Sequence, residues 1–458
     1  MKKFKSQPVH IAAFKMEHDP EPTTNVEMKV YRYRWVQLFI FCLFTVINFM
    51  QFLQFTIIAN VITKYYGVDT SLVDISGLVF FVVYIVLFLP ISFLIEKYNL
   101  KVTAIVSTGL TLVGNVIKIF CGHPDRFYLI LIGQTFCAIG QVYMLSIPTK
   151  FASTWFGANE VSTACALAVL GTQLGAALGA LFPPFLVTKG ETDEQIGNGI
   201  FNMGLLYAVP TGVIFLIVIL FFRARPKLPP SRSQVQLLTQ SEEDPKFFQN
   251  CKTLLKNKDY LLILFSFGIT SGLWNSFGIV VNTLYITYFP NGEKDIGIIS
   301  LTAIIAGGCF GNVLWGHILD KYHLFKKTAF AVLTFSSITY VLMACSIMLK
   351  SRIATYFTIP IFGFFTASSL VISYEYALEV TYPIPESVSC SLVNAFIFLF
   401  GIIATYVIEG LMDSAGHLAA HIFVFSTFII CTITTLFISS NLKRREANLA
   451  SNAETDAR

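Results

Sequence analysis

The sequence predicts an all-α membrane protein, with twelve transmembrane helices arranged as two six-helix pseudo-repeats, and three observations carry that reading. Of its 458 residues, 55% are hydrophobic and only 13% are charged, and the mean hydropathy is +0.66. The apolar residues gather in runs of about 20, the number of helical residues that crosses roughly 30 Å of hydrocarbon. The widest polar gap, residues 223–258, divides those runs six and six. A spanning backbone must satisfy its own hydrogen bonds, which leaves helix or closed barrel, and unbroken apolar runs exclude the barrel.

Taken in order, the runs place spans near 36–62, 74–95, 102–120, 128–152, 161–187, 200–222, 260–289, 296–319, 328–349, 353–379, 386–411 and 419–439. Assigning Lys and Arg to alternate sides puts 25 of the 32 on the side of the termini and 7 opposite, so the positive-inside rule expects both termini in the cytoplasm. The expected layout is a cytoplasmic tail (1–35), a six-helix bundle (36–222), a cytoplasmic linker (223–258), a second bundle (259–440) and a cytoplasmic tail (441–458). Within the linker, Arg223 to Pro245 is rich in Pro, Ser and Gln and is expected to be disordered. Phe247, Phe248, Cys251, Leu254 and Leu255 then recur at helical spacing opposite Lys252 and Lys256. That pattern suits a short helix on the inner leaflet, the bland alternative being the frayed start of span seven.

Residues 1–35 are polar and no Asn-x-Ser/Thr sequon occurs, so the first span is expected to act as its own signal. The nine cysteines lack the spacing of a disulfide framework or a zinc site. His417 and His421 sit four apart at the start of span twelve without a third ligand in sequence, and no metal or cofactor is expected.

The loop after span two, Glu96-Lys97-Tyr98-Asn99-Leu100-Lys101, has a partner after span eight, Asp320-Lys321-Tyr322-His323-Leu324-Phe325-Lys326, at an offset of 224 to 225 residues. Glu160-Val161-Ser162 is echoed by Glu386-Ser387-Val388 at an offset of 226. A duplicated six-helix unit explains both. The repeated loop resembles that of the major facilitator superfamily, roughly G-x-x-x-D-[RK]-x-G-[RK]-[RK]; Gly316 to Lys327 fits well, whereas the first copy has Pro90, Phe93, Glu96 and Asn99 at departing positions. An acid ending one helix beside a base on the next makes a breakable latch, the alternative being ordinary topogenic charges. Glu96, Lys97, Asp320 and Lys321 are its candidates. Glu375 and Glu379 lie about 22 and 26 residues into span ten, the first roughly 33 Å along the axis, and so join the same latch rather than carrying a coupled proton. Gly171, Gly175 and Gly179 on span five and Gly307 and Gly311 on span eight are smooth stripes, which the resemblance places at the seam where those spans meet.

A transporter site is expected near mid-bilayer on helices of both halves. The span centres hold Asn48, Gln51 and Phe52 on span one, Gln141 on four, Gln173 on five, Trp274 and Asn275 on seven, and Asn394 and Phe398 on eleven. Amides and aromatics dominate, and no Asp, Glu, Lys or Arg is expected at that depth. Buried amides serve either helix contacts or a cavity, and their common depth favours the cavity.

Longer strings sharpen the resemblance. Asn48 to Asn60, Tyr65 to Asp69, Gln141 to Ala166 with Trp155-Phe156-Gly157, and Glu375 to Pro383 resemble the feline leukaemia virus subgroup C receptor family, over about Tyr31 to Arg445. The resemblance implies transport of choline and ethanolamine, with haem transport the older proposal, and a choline pocket of a Trp and an Asn on helix one, a Tyr on helix seven and Gln on helices four and eleven. Asn48 and Gln141 match that pocket. Phe52 stands at the Trp, Asn275 at the Tyr and Phe398 at the second Gln. Replacing Trp by Phe costs on the order of 0.5–1 kcal/mol of cation–π attraction.

The function expected is alternating-access transport of small organic solutes, by facilitated diffusion of choline- or ethanolamine-type amines. The alternatives are haem transport and a non-transporting receptor or scaffold that keeps the fold. An enzyme is excluded, because neither an H-x-x-x-x-D nor a G-x-G-D pattern is present. The expected partners are the small-molecule substrate and the lipid bilayer, with no nucleic acid, in a monomer of the plasma membrane.

Overall fold

The computed structural model describes residues 29–230 and 247–445, apart from 146, 158–159, 188–191, 383, 385, 440–441 and 444. Most of each expected tail, and most of the linker segment expected to be disordered, lie outside the described residues.

The described residues are almost entirely helical. Among the described residues, eleven helices are long and apolar enough to cross a membrane, and the shorter Arg34–Phe49 completes the twelve by continuing through an irregular stretch into Ala59–Tyr66. Spans two to five are Thr70–Lys97, Leu100–Ile119, Phe127–Leu145 extended by Pro148–Trp155, and Val161–Leu181 extended by Pro183–Leu186. Span six is Asp193–Phe221, and spans seven and eight are Lys258–Tyr288 and Glu293–Tyr322. Spans nine to twelve are Phe325–Met348, Arg352–Thr381, Glu386–Ala415 and His417–Thr435. With an even number of spans, the two ends of the described chain, residues 29 and 445, lie at one face, here called the termini face; the opposite one is the far face.

Local chemistry explains several boundaries. Asn99 opens span three by accepting the Val102 N–H at 3.0 Å, and Asn257 opens span seven by accepting from Asp259 and Tyr260. Span six starts about two turns before its expected residue 200, because Thr192 and Gln195 form a capping box ahead of it. Span eight is interrupted by a π-helical turn, Ile305–Gly311. The linker helix forms over Phe247–Leu254, and its Leu254 is buried with Tyr260 against the base of the second half.

The glycine stripes are used differently from the expectation. A Cβ at Gly171, Gly175 or Gly179 would lie 3.2, 2.4 and 2.4 Å from the carbonyl oxygens of Cys42, Val46 and Met50, so this stripe seats span one against span five. At Gly307 it would meet Gly363 O at 2.1 Å, which places that face of span eight against span ten. Spans five and eight do meet, through Gln173 against Gly308 and Ala180 against Gly297.

Candidate substrate site

The centre of span one is where helix gives way. Gln51 and Phe52 donate their N–H groups three residues back, to Asn48 at 3.2 Å and Phe49 at 3.3 Å, instead of four. The tightened turn sets the Phe52 ring 5.4 Å from Phe81 and 5.9 Å from Phe80 of span two. Phe81 stacks on Phe398 at 5.0 Å, and Phe398 meets the edge of Tyr84 at 4.8 Å. Phe52 and Phe398, read from opposite halves, are therefore joined through two rings of span two that sequence reasoning passed over. An aromatic in an apolar span carries no signal of its own, so only packing reveals Phe81 and Tyr84.

Polar groups border this ring chain. Asn394, one turn before Phe398, accepts a hydrogen bond from Tyr374, and Tyr84 directs its hydroxyl toward Asn394 and Ser391. Asn48 donates to Thr111 Oγ1 at 2.8 Å and to the Cys137 carbonyl at 3.3 Å, while its own carbonyl oxygen is buried with no donor. A Cβ on Gly140 would lie 3.5 Å from Asn48 Nδ2, so Asn48 sits beside the turn that carries the buried Gln141. Trp274 faces the second half's own packing, 5.9 Å from Phe362 and 6.1 Å from Phe277, rather than the Phe52 chain. Asn275 beside it is half-buried.

Gln51 is turned away to a different task, and here the expected absence of charge at mid-depth is corrected. Lys118, the next-to-last residue of span three, is buried and its ammonium lies 2.7 Å from Gln51 Oε1. The reason is directional: helical side chains lean toward their own N-terminus, which carries this ammonium back from the far face to the level of Gln51. A Lys inside an apolar run is itself a signal of function that a search confined to span centres misses.

The far ends of the halves are tied by a polar knot. Asn282 of span seven donates to the Ile57 carbonyl and to Asn60 Oδ1, both at 2.9 Å, and accepts the Asn60 N–H at 3.1 Å. Asn60 donates in turn to Glu293 of span eight at 2.7 Å. Nearby, the carboxyls of Asp74 on span two and Glu409 on span eleven face each other across the seam. Asp74 is fully buried, and neither of its oxygens has a well-aligned donor.

At the termini face, the side chains of Glu96, Lys97 and Asp320 lie outside the described residues. Lys321 is exposed, its Nζ 5.5 Å over the Tyr322 ring. Glu379 accepts the Arg445 N–H at 3.2 Å, and Glu375 is half-buried one turn before it. Glu160 pairs with Arg34 at 3.0 Å. His421, at the far face, is engaged by the Tyr340 hydroxyl at 2.9 Å.

Comparison with known proteins follows the same lines. The model of the Major Facilitator Superfamily matches residues 39–386. The choline/ethanolamine transporter flvcr2b of Danio rerio is 34% identical over 425 residues, covering 93% of this chain and 87% of that protein. Choline/ethanolamine transporter FLVCR2 of Homo sapiens is 32% identical, covering 92% and 80%, and FLVCR1 of Felis catus is 33% identical, covering 94% and 77%. Among solved structures, a bacterial homologue of the human lysosomal transporter Spinster, inward-facing and occupied, superposes with a TM-score of 0.66 at 12% identity over 90% of this chain and 98% of that one. The transporter FucP in its outward conformation superposes with a TM-score of 0.60 at 13% identity over 89% and 100%.

Proposed function

Because this chain belongs to the major facilitator superfamily, and within it to the family of the choline/ethanolamine transporters FLVCR1 and FLVCR2, we propose that it carries choline, ethanolamine or a close relative across the membrane by facilitated diffusion. It is a multi-pass membrane transporter and not an enzyme. The observation that carries the substrate reading is the ring chain Phe52–Phe81–Phe398–Tyr84, which lies on the seam between the halves and is bordered by the amides of Asn394, Asn48 and Gln141. A quaternary ammonium needs no hydrogen-bond acceptor and is held by ring faces, each worth roughly 0.5–1 kcal/mol or more when desolvated. An anion would ask for a free cation in the same place, and the Lys118 ammonium is already committed to amide oxygens.

Transport then follows from the two closures. With the polar knot made, the far face is shut and the rings pack on each other. Rocking the halves apart at that end breaks the knot, separates the Phe81 and Phe398 faces and admits the cation between them. Six spans before 223–258 and six after it are the natural rigid units. The excess of Lys and Arg on the termini side supports a cytoplasmic termini face and so an extracellular far face at the plasma membrane. Latches at Glu96/Lys97 and Asp320/Lys321, with Glu375 and Glu379, would hold the termini face when the far face opens.

The test is uptake of radiolabelled choline and ethanolamine into vesicles at fixed membrane potential, with and without a pH gradient. Saturable uptake that follows the substrate gradient and the potential is expected. Uphill uptake driven by a pH gradient at zero potential would overturn facilitated diffusion. Movement of haem with no uptake of either amine would overturn the substrate, and no movement of any of them would leave the scaffold reading.

A further inference from the structure

Lys118 lies outside the ring chain described above, yet its buried ammonium is engaged by three amide side chains of the first half. Its ammonium donates to Gln51 Oε1 at 2.7 Å, Gln54 Oε1 at 2.8 Å and Gln134 Oε1 at 3.1 Å, with the Phe55 ring centroid 6.0 Å away. Three protons meet three amide oxygens. Two of the three amides use their nitrogens on the backbone, Gln51 Nε2 donating to the Ile47 carbonyl at 3.0 Å and Gln134 Nε2 to the Gln51 carbonyl at 2.9 Å, while the buried Gln54 Nε2 has no acceptor among the described residues. In a regular helix the Ile47 carbonyl would accept the Gln51 N–H, but that N–H goes to Asn48. The side-chain cage therefore replaces hydrogen bonds that span one gives up where it unwinds.

Room has been made for this arrangement. A Cβ on Gly133 would lie 2.5 Å from Lys118 Cγ, a distance real Cβ atoms do not reach, so only glycine there lets the lysine pass span four. Burying an ammonium is costly unless every donor is engaged, and removing it would strand three amide oxygens in a dry interior. The residues it grips, Gln51 and Gln54, flank Phe52 and Leu53.

We propose that Lys118 is a positioning residue for transport: by gripping Gln51 and Gln54 it fixes the shape of the unwound turn and so sets Phe52 against Phe81 on the substrate path. This rests on the transport reading above. It acts through Phe52 and makes no contact with substrate.

The experiment compares Lys118→Met and the milder Gln54→Met with the unmodified protein, alone and combined with Phe52→Leu. It measures KM and Vmax for choline in vesicles, the melting temperature of the purified protein, and the rate at which a thiol reagent labels Phe52→Cys. Lys118→Met is expected to raise KM about tenfold with Vmax per molecule changed less than threefold, and to change the Phe52→Cys labelling rate at least fivefold. Gln54→Met should do the same on a smaller scale, two- to fivefold in KM, and keeps the test available if Lys118→Met does not fold. In the Phe52→Leu background the added effect of either variant on KM should fall below twofold, because the route through Phe52 is already lost. A lowered melting temperature with unchanged KM and unchanged labelling would overturn the proposal and leave the cage as scaffold only. If the unmodified protein takes up neither amine, the transport reading fails by itself, and the labelling rates still decide whether Lys118 sets position 52.

Discussion

The seam between the halves is closed twice, and the two closures are built from opposite materials. At the far face it is closed by hydrogen bonds among Asn60, Asn282 and Glu293, while deeper it is closed by the rings of Phe52, Phe81, Phe398 and Tyr84. Hydrogen bonds are short and directional, so a small displacement breaks them together; such a knot has two states. Ring stacks slide and part gradually, and once parted they offer faces that attract a cation. In the transport cycle proposed above, the polar closure sets when the path is open, and the aromatic one sets what is held there.

That division can be broken from the aromatic side with the largest effect. Phe52→Ala removes the ring nearest the unwound turn and should cost about 2 kcal/mol of cation binding, read as a rise of roughly thirtyfold in KM for choline. Phe52→Trp should preserve or strengthen choline binding, read as thermal stabilisation of the purified protein by added choline. Equal behaviour of the two variants would remove the ring face as the explanation.

On the polar side the expected loss is one of gating. Asn282→Ala deletes three of the knot's four hydrogen bonds. It should weaken far-face closure by about 1.5–2 kcal/mol, or ten- to thirtyfold in the population of the closed state, with choline affinity of the open state little changed. Labelling of a cysteine placed below the knot, compared with equilibrium binding, separates the two quantities. A fall in affinity matching the change in labelling would mean that the knot and the rings are one device.

Two smaller changes sharpen the contrast. Phe398→Leu keeps an apolar seam without a second stacked face, and should raise KM two- to fivefold, or about 0.5–1 kcal/mol, with the far face unaffected. Asp74→Asn exchanges one of two carboxyls that face each other across the seam for a neutral amide of the same shape that also donates to Glu409, so closure should be kept and uptake should change less than twofold. Faster uptake would show instead that the two carboxyls hold the far ends together.

Part of the site was legible because its chemistry is unusual for its surroundings. Amides in hydrocarbon stand out, and Asn48, Gln141 and Asn394, which border the ring chain of the proposed site, were read from the sequence on that ground. Phe81 and Tyr84 were invisible among 44 Phe and 19 Tyr residues, since an aromatic in an apolar run is as well explained by lipid as by a neighbour. Trp274 shows the limit of proximity in sequence: one residue is ~100° around a helix, and its ring turned into the second half's own core.

The sequence by itself determined the class, the number of spans, the duplication and the side on which the charges collect, because these follow from apolar run length and Lys/Arg placement, which need no tertiary partner. The unwinding of span one is different. No Pro or Gly lies between Asn48 and Asn60 to announce it. It exists because the Gln134 side chain, from another span, and the Gln51 side chain itself bond the backbone carbonyls that the turn leaves open, and because Lys118, for which Gly133 leaves room, holds both amides in place. A helix in a membrane loses its backbone bonds only where something else replaces them, and only the folded chain decides where that is.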